Sequence, residues 1–329
     1  MYELNTSPIS VRFRKWAGPV GEEVHFFTKL FEIVTNRNVV IVESDIGDVD
    51  IEIESVYGER QIPSINSRLY RFLNSHLPGG IDFSKRDHTP NQQPTGKGRV
   101  KIFYTGENER PPEGRWDAYL SFDMHSFDGR NAYLPLWWIT SSDILVPTIS
   151  PYLGKPIKID QMLASRTPSL EGREKFCVAF IGKAYPFRMH AISAISKIGK
   201  VDVFGGIARD TRQTRAEEKY EISQKYKFVF AFENDLFPGY VTEKVPEAWA
   251  TGAVPLYWGS DPANLLNQES FINLANFKTL EDFTQRVREV DEDDALWMKI
   301  ASQPLLQSRP SLDHVIEVLR TACQPLIEQ

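Results

Sequence analysis

Lys227–Ser260 reads KFVFAFENDLFPGYVTEKVPEAWATGAVPLYWGS, and its pattern decides the fold. The apolar run Phe228–Phe232 has the length and composition of a strand buried on both faces. It ends in Glu233-Asn234, and a loop carrying Pro238-Gly239-Tyr240 follows. Pro246 lacks an N–H and fits best in the first turn of a helix, which puts Glu243 and Lys244 at the helix mouth or just before it. Gly252 stops that helix, and Val254–Trp258 is the next strand. Strand, loop, helix, strand is the repeating unit of a parallel sheet covered by helices. In such sheets ligands sit beyond the carboxyl ends of the strands, near helix N-termini. Polar groups gathered there read as a nucleotide site. No GxGxxG or Walker pattern occurs, so side chains would have to meet any phosphate charge. A surface loop with one ion pair fits the same residues equally well.

The same alternation extends outward. Strands are expected at Ile9–Trp16, Val39–Glu43, Val49–Tyr57, Val100–Tyr104, Ala118–Phe122, Phe176–Ile181, Lys200–Phe204 and Tyr226–Phe232. Val24, Phe27, Leu30, Phe31 and Val34 repeat at helical spacing, and Arg188–Ile198 reads as a helix with Met189, Ile192 and Ile195 on one side. Leu312, Val315, Ile316, Leu319, Cys323 and Leu326 form the stripe of a closing helix. Ser84–Gly98 is polar with Pro and Gly punctuation and reads as a mobile surface loop. Val146–Arg173 is the candidate connection. The expected division is 1–150, 165–310 and a closing helix over 311–329. At about 150 residues per domain, 329 residues suit two domains.

Composition excludes several classes. Hydrophobic residues at 41% and charged residues at 25% are globular values, which argues against a disordered chain. Lys and Arg number 38 against 44 Asp and Glu, so the net charge is −6, and no basic block is present to wrap nucleic acid. Cys177 and Cys323 are too few for a disulfide framework and read as two buried thiols. MYELNTSPISVRFRKW has no apolar core of a signal peptide, and no apolar run approaches the ~18 residues of a membrane span, so the expected location is cytoplasmic. The histidines are dispersed, with no HExxH. Asp48-Val-Asp50 resembles a metal-holding Asp-x-Asp at the start of a strand, but a metal role there is not expected. Asp291–Asp294 reads as the solvated start of a helix.

The block FVFAFEN…GYVTEK…GAVPLYWG resembles the signature of the α-1,3-fucosyltransferases of glycosyltransferase family 10. Val100–Pro111, VKIFYTGENERP, and the following WDAYLSFDMHS…YLPLWW are similar to that family's acceptor-domain segment. Pro186-Phe187-Arg188 is a third match, where the family places an arginine opening a helix. The three blocks stand in family order between roughly residues 9 and 280. Asp235 stands where the family usually has serine, and Pro246 interrupts a helix start that is normally proline-free; both bear on the geometry of the loop. The family's membrane anchors, disulfides, heptad repeats and basic tails are not matched, which suits a compact soluble bacterial-type form.

The resemblance implies an α/β fold of two Rossmann-like domains facing across a cleft, the GT-B type. It implies inverting transfer of L-fucose from GDP-L-fucose to a glycan hydroxyl, O3 of N-acetylglucosamine, with N-acetyllactosamine as the usual acceptor. Glu107 matches the family's base; Arg188 and Lys244 match its diphosphate contacts; Asn234, Tyr240 and Glu243 match further donor contacts. No cofactor is required on this reading, and a divalent ion would at most stimulate. Trp137 and Trp138 could stack on acceptor sugars or form a buried aromatic ridge. Two other functions compete: a non-catalytic sugar-nucleotide or glycan-binding protein, and a glycoside hydrolase using Glu107 and Glu109. Acids two residues apart on one loop are a weak hydrolase pair, and a hydrolase leaves Arg188 and Lys244 unexplained.

Overall fold

Two parallel sheets carry the chain in the computed structural model, which describes residues 7–16, 22–44, 46–56, 98–112, 114–147, 156–182, 184–205 and 216–328. The polar stretch 84–97 and Tyr57 lie outside them. The first sheet contains β1 (Ile9–Arg14), β2 (Val39–Ile41), β3 (Val49–Glu54), β4 (Gly98–Thr105), β5 (Ala118–Ser121) and β6 (Asn131–Tyr133), in the order β2-β1-β3-β4-β5-β6. The second contains β7 (Lys175–Phe180), β8 (Val201–Phe204), β9 (Tyr226–Phe232), β10 (Val254–Trp258) and β11 (Ile272–Asn273), in the order β11-β10-β9-β7-β8. Every strand pairing in both sheets is parallel. These are two Rossmann-like α/β units, as the GT-B type requires.

In the first unit, α1 (Glu22–Thr35) buries Val24, Phe27, Leu30, Phe31 and Val34, the stripe its spacing predicts. The short helix α2 (Leu136–Thr140) follows β6. The second unit holds α3 (Ile159–Leu163), α4 (Pro186–Ile195), α5 (Ala216–Ser223), α6 (Lys244–Ala250), α7 (Leu280–Glu292) and α8 (Asp294–Ala301). Its core joins Phe228, Phe230 and Phe232 of β9 to Leu256 and Trp258 of β10, Phe187 and Ile195 of α4, and Phe283, Val287 and Val290 of α7. Each such side chain contributes about 1.5–3 kcal/mol on burial.

The last helix, α9 (Asp313–Ile327), belongs to the first unit, where it packs on α1, β5 and β6. The second unit includes α3, ahead of the expected start at 165, because Ile159 and Met162 are buried and Leu306 N donates to Met162 O at 2.9 Å. Asp291–Asp294 does not open one helix. Asp291 and Glu292 end α7, while Asp293 caps α8 by accepting from Leu296 N at 3.0 Å. Strands β6 and β11 were not expected, since runs of three and two residues carry no readable alternation. Among the described residues no helix is long and apolar enough to cross a membrane.

Candidate functional site

The strand order of the second sheet locates its ligand position. From β7 the chain steps to one side, to β8, and then returns to the other side, to β9. The carboxyl ends of β7 and β9 therefore flank the point where the winding reverses, which leaves a crevice between diverging connections. The elements leaving these two strands carry Arg188 and the segment Glu233–Lys244.

Arg188 is the third residue of α4. Pro186 opens that helix at a position whose N–H would have no helical partner. The side chain is 5% exposed, and Nη1 donates to Asn234 Oδ1 at 3.1 Å. Its Nε is buried and meets no hydrogen-bond partner among the described residues. Burial pulls the guanidinium below its usual range, partly offset by Glu233, Tyr185, Tyr240 and Glu243. A buried guanidinium that forms no ion pair among the described residues, and has a donor without a partner there, suits a bound anion.

Glu233 continues β9, its N–H donating to Trp258 O at 3.0 Å. Its carboxylate is fully buried. It accepts from Thr242 N at 2.8 Å, from Thr242 Oγ1 at 2.7 Å and from Tyr257 OH at 3.4 Å, and lies 3.2 Å from Lys244 Nζ. Lys244 Nζ also donates to Thr242 Oγ1 at 2.7 Å and reaches Glu243 Oε1 at 3.5 Å. Burial alone would lower the Lys244 pKa, but the carboxylates of Glu233 and Glu243 outweigh it and raise it. Burial would raise the Glu243 carboxyl, yet Lys244 brings it below its usual value.

Between these anchors the loop turns through Gly239 at φ +85°, a left-handed conformation that glycine adopts without strain. Gly239 N donates to Ser260 O at 3.0 Å, and Tyr240 on the loop is 1% exposed. The two departures from the family pattern are absorbed locally. Asp235 Oδ1 accepts from Leu236 N at 2.8 Å. Pro246 is the third residue of α6, ahead of the first helical bond, Glu247 N to Glu243 O at 2.9 Å, so no hydrogen bond is lost.

Arg188 and Asn234 form one hydrogen-bonded pair and Glu233, Thr242, Glu243 and Lys244 a second cluster; charge couples the two, Glu233 and Glu243 acting on Arg188 and Arg188 on Lys244, with Tyr240 on the loop between Asn234 and Thr242. Glu233 and Thr242 were absent from the residues predicted for the site. The available signal was an acid placed directly after an apolar strand, where burial demands a partner.

In the first unit, Glu107 follows the carboxyl end of β4 and is half-buried, while Glu109 is exposed. Three residues on, Arg110 Nε pairs with the buried Asp123 Oδ2 at 2.6 Å. Trp137 and Trp138 are 1% and 4% exposed and pack edge to face at 6.1 Å, so they form the buried ridge and offer no face to a sugar. Asp50 lies at the amino end of β3, where Oδ2 accepts from Ser10 N at 2.9 Å and Ser10 Oγ at 2.8 Å. Among the described residues no three or more His, Cys, Asp or Glu converge as metal ligands.

Comparison with known proteins follows the same segment. Residues 171–302 match the family described as Glycosyltransferase family 10 (fucosyltransferase) C-term. The chain is 28% identical over 204 residues to the alpha-(1,3)-fucosyltransferase FucT of Helicobacter pylori, covering 55% of this chain and 42% of that protein. It is 35% identical over 189 residues to a 4-galactosyl-N-acetylglucosaminide 3-alpha-L-fucosyltransferase of Pongo pygmaeus, covering 55% of this chain and 47% of that one. The chain spans about half or less of the length of these curated relatives. A crystal structure of an alpha1,3-fucosyltransferase with GDP-fucose shares the fold at a TM-score of 0.64 and 20% identity, over 98% of this chain and 93% of that one. The same holds for an alpha1,3-fucosyltransferase with GDP, at a TM-score of 0.66 and 21% identity, over 98% and 92%. The matched segment, residues 171–302, holds Arg188 and all of Glu233–Lys244, so this part of the chain is similar to the C-terminal domain of the glycosyltransferase family 10 fucosyltransferases.

Proposed function

We propose that this protein transfers L-fucose from GDP-L-fucose to a glycan hydroxyl, O3 of N-acetylglucosamine in an N-acetyllactosamine-type acceptor, with inversion at the anomeric carbon. One observation carries the reading. Two buried or half-buried cations, Arg188 and Lys244, stand at the reversal point of the second sheet, and among the described residues the Arg188 Nε meets no hydrogen-bond partner there. The reaction needs such a place. As the acceptor oxygen attacks the sugar carbon, the bond to GDP breaks and its electrons leave with the diphosphate. Arg188 offers a planar fork and Lys244 a point charge to stabilise that developing charge. Asn234, Tyr240 and Glu243 complete the donor contacts. Glu107 takes the proton of the acceptor hydroxyl, which is a weak nucleophile at neutral pH.

The test is calorimetry with GDP, followed by donor-coupled transfer across galactosyl-β-1,4- and galactosyl-β-1,3-N-acetylglucosamine acceptors. GDP binding with transfer to the β-1,4 acceptor is the expected result. GDP binding with no transfer to any glycan would make this a binding protein. Fucose placed on O4 would overturn the linkage while leaving the donor reading intact. The panel matters because a relative from Pongo pygmaeus, 29% identical over 189 residues, is a 4-alpha-L-fucosyltransferase.

A further inference from the structure

The Glu233 carboxylate is fully buried, and its hydrogen bonds go to the segment that presents Lys244. We propose that Glu233 is a positioning residue: with Thr242 it holds the Lys244 ammonium in place and charged, so that a nucleoside diphosphate meets a fixed cation. This rests on the donor-site reading given above.

Both carboxylate oxygens are committed. Oε1 takes the Thr242 N–H and the Tyr257 hydroxyl, and Oε2 takes the Thr242 hydroxyl and faces Lys244 Nζ at 3.2 Å. Thr242 is a relay, since its hydroxyl donates to Glu233 and accepts from Lys244 at 2.7 Å. The ammonium thus has two close partners behind it and one long contact, Glu243 Oε1 at 3.5 Å. That third contact is the one a phosphate oxygen can replace, because a hydrogen bond at this length is weak. Giving it up leaves Lys244 anchored by Glu233 and Thr242.

The groups facing Lys244 are Glu233 at the end of β9, Glu243 beside it and Arg188 on α4; Tyr185 and Tyr240 face Arg188, and Tyr257 on β10 faces Glu233. Burial and Arg188 both favour a neutral lysine, and the two carboxylates oppose them. A lysine in this setting stays charged only while a buried carboxylate balances it. Without Glu233, only Glu243 opposes burial and Arg188, so the Lys244 pKa falls and the ammonium is lost at a lower pH than in the wild type.

The experiment measures GDP affinity of the full chain by calorimetry between pH 7 and 9.5, each variant being compared with wild type at the same pH so that titration of GDP itself cancels. Glu233→Gln places an amide donor against the ammonium. It should weaken GDP binding by about tenfold at pH 7, the scale of one lost charge-assisted contact, and by progressively more toward pH 9.5. Glu233→Asp restores the negative charge and should remove the alkaline decline. Wild-type affinity in Glu233→Gln overturns the proposal. So does a loss that is constant across pH and is not recovered by Glu233→Asp, which would mark a purely structural acid. If Glu233→Gln does not fold, Thr242→Val interrupts the same relay, and unchanged GDP affinity in that variant overturns the proposal equally. Lys244→Ala separates the two levels of inference. If it binds GDP normally, Lys244 is not a donor contact and the reading on which this proposal rests fails at that residue; if it loses affinity while Glu233→Gln does not, only the role of Glu233 fails.

Discussion

Arg188 and Lys244 feel each other's charge from two helices, but they are held differently. Arg188 meets a neutral amide, whereas Lys244 meets carboxylates. Removing either leaves a diphosphate with one cation fewer in a partly dry site, where charge contacts exceed those of surface pairs. Arg188→Ala and Lys244→Ala should each weaken GDP binding by about 1–3 kcal/mol, read by calorimetry; unchanged affinity in both would remove these residues from the donor site. Glu107 is a different kind of residue, half-buried on a loop of the other unit. Glu107→Gln keeps size and hydrogen bonding but removes the basic oxygen. It should lower kcat by about 10²–10⁴-fold with GDP affinity unchanged, while Glu109→Gln does much less. A near-native kcat in Glu107→Gln would refute its assignment as base. Cys177 and Cys323 are both fully buried, and burial raises both thiols, Cys323 to about 12. A thiol reagent at neutral pH should label neither until denaturant is added, because the thiolate is the reactive form.

The helix α6 shows how local chemistry sets an element that the site depends on. It opens at Lys244, carries Pro246 before its first helical bond, ends at Ala250 and is closed off by Gly252, whose φ is +86° and whose N–H donates to Trp249 O at 3.0 Å. A Cβ at Gly252 would also collide with the Arg173 guanidinium, whose Nη2 donates to Thr251 O at 2.6 Å. Gly252→Ala should therefore destabilise the fold by about 1–2 kcal/mol, the cost of the left-handed backbone alone, or more. Urea denaturation checks this, and an unchanged midpoint would mean that the helix end relaxes freely. The start and stop of α6 were legible from Pro246 and Gly252 because a missing N–H and a positive φ are properties of single residues. α7 was not predicted. Its core contact rests on Phe283, Val287 and Val290, which stand at helical spacing among charged neighbours, so the pattern was present in the sequence and went unread.

At the scale of the whole molecule, the diphosphate charge is assigned to side-chain cations and not to a metal cage, so GDP binding should persist in EDTA. Complete loss of binding in EDTA, restored by manganese, would return Asp48 and Asp50 to consideration, against the hydrogen bonds that tie Asp50 to Ser10. Alternating strands and helices, the parallel sheets they imply, and a polar cluster at one strand end were all readable from the sequence. Those features depend on residues a few positions apart, so local sterics and periodicity express them directly. Other features depend on residues far apart in the chain. Glu233 becomes the buried anchor of Lys244 only when the loop folds back over β9 and β10. Trp137 and Trp138 become core only when packing covers them. Arg166 donates to the carbonyls of Ala301 at 2.5 Å and Ala253 at 3.1 Å and to that of Trp249, tying together segments up to 135 residues apart. α9 joins the first sheet after the chain has passed through the second unit. The sequence by itself determined the elements and the chemistry present at the strand ends. Only the tertiary structure decided which buried charge answers which, because desolvation makes pairing obligatory without specifying, within any local stretch, where the partner lies.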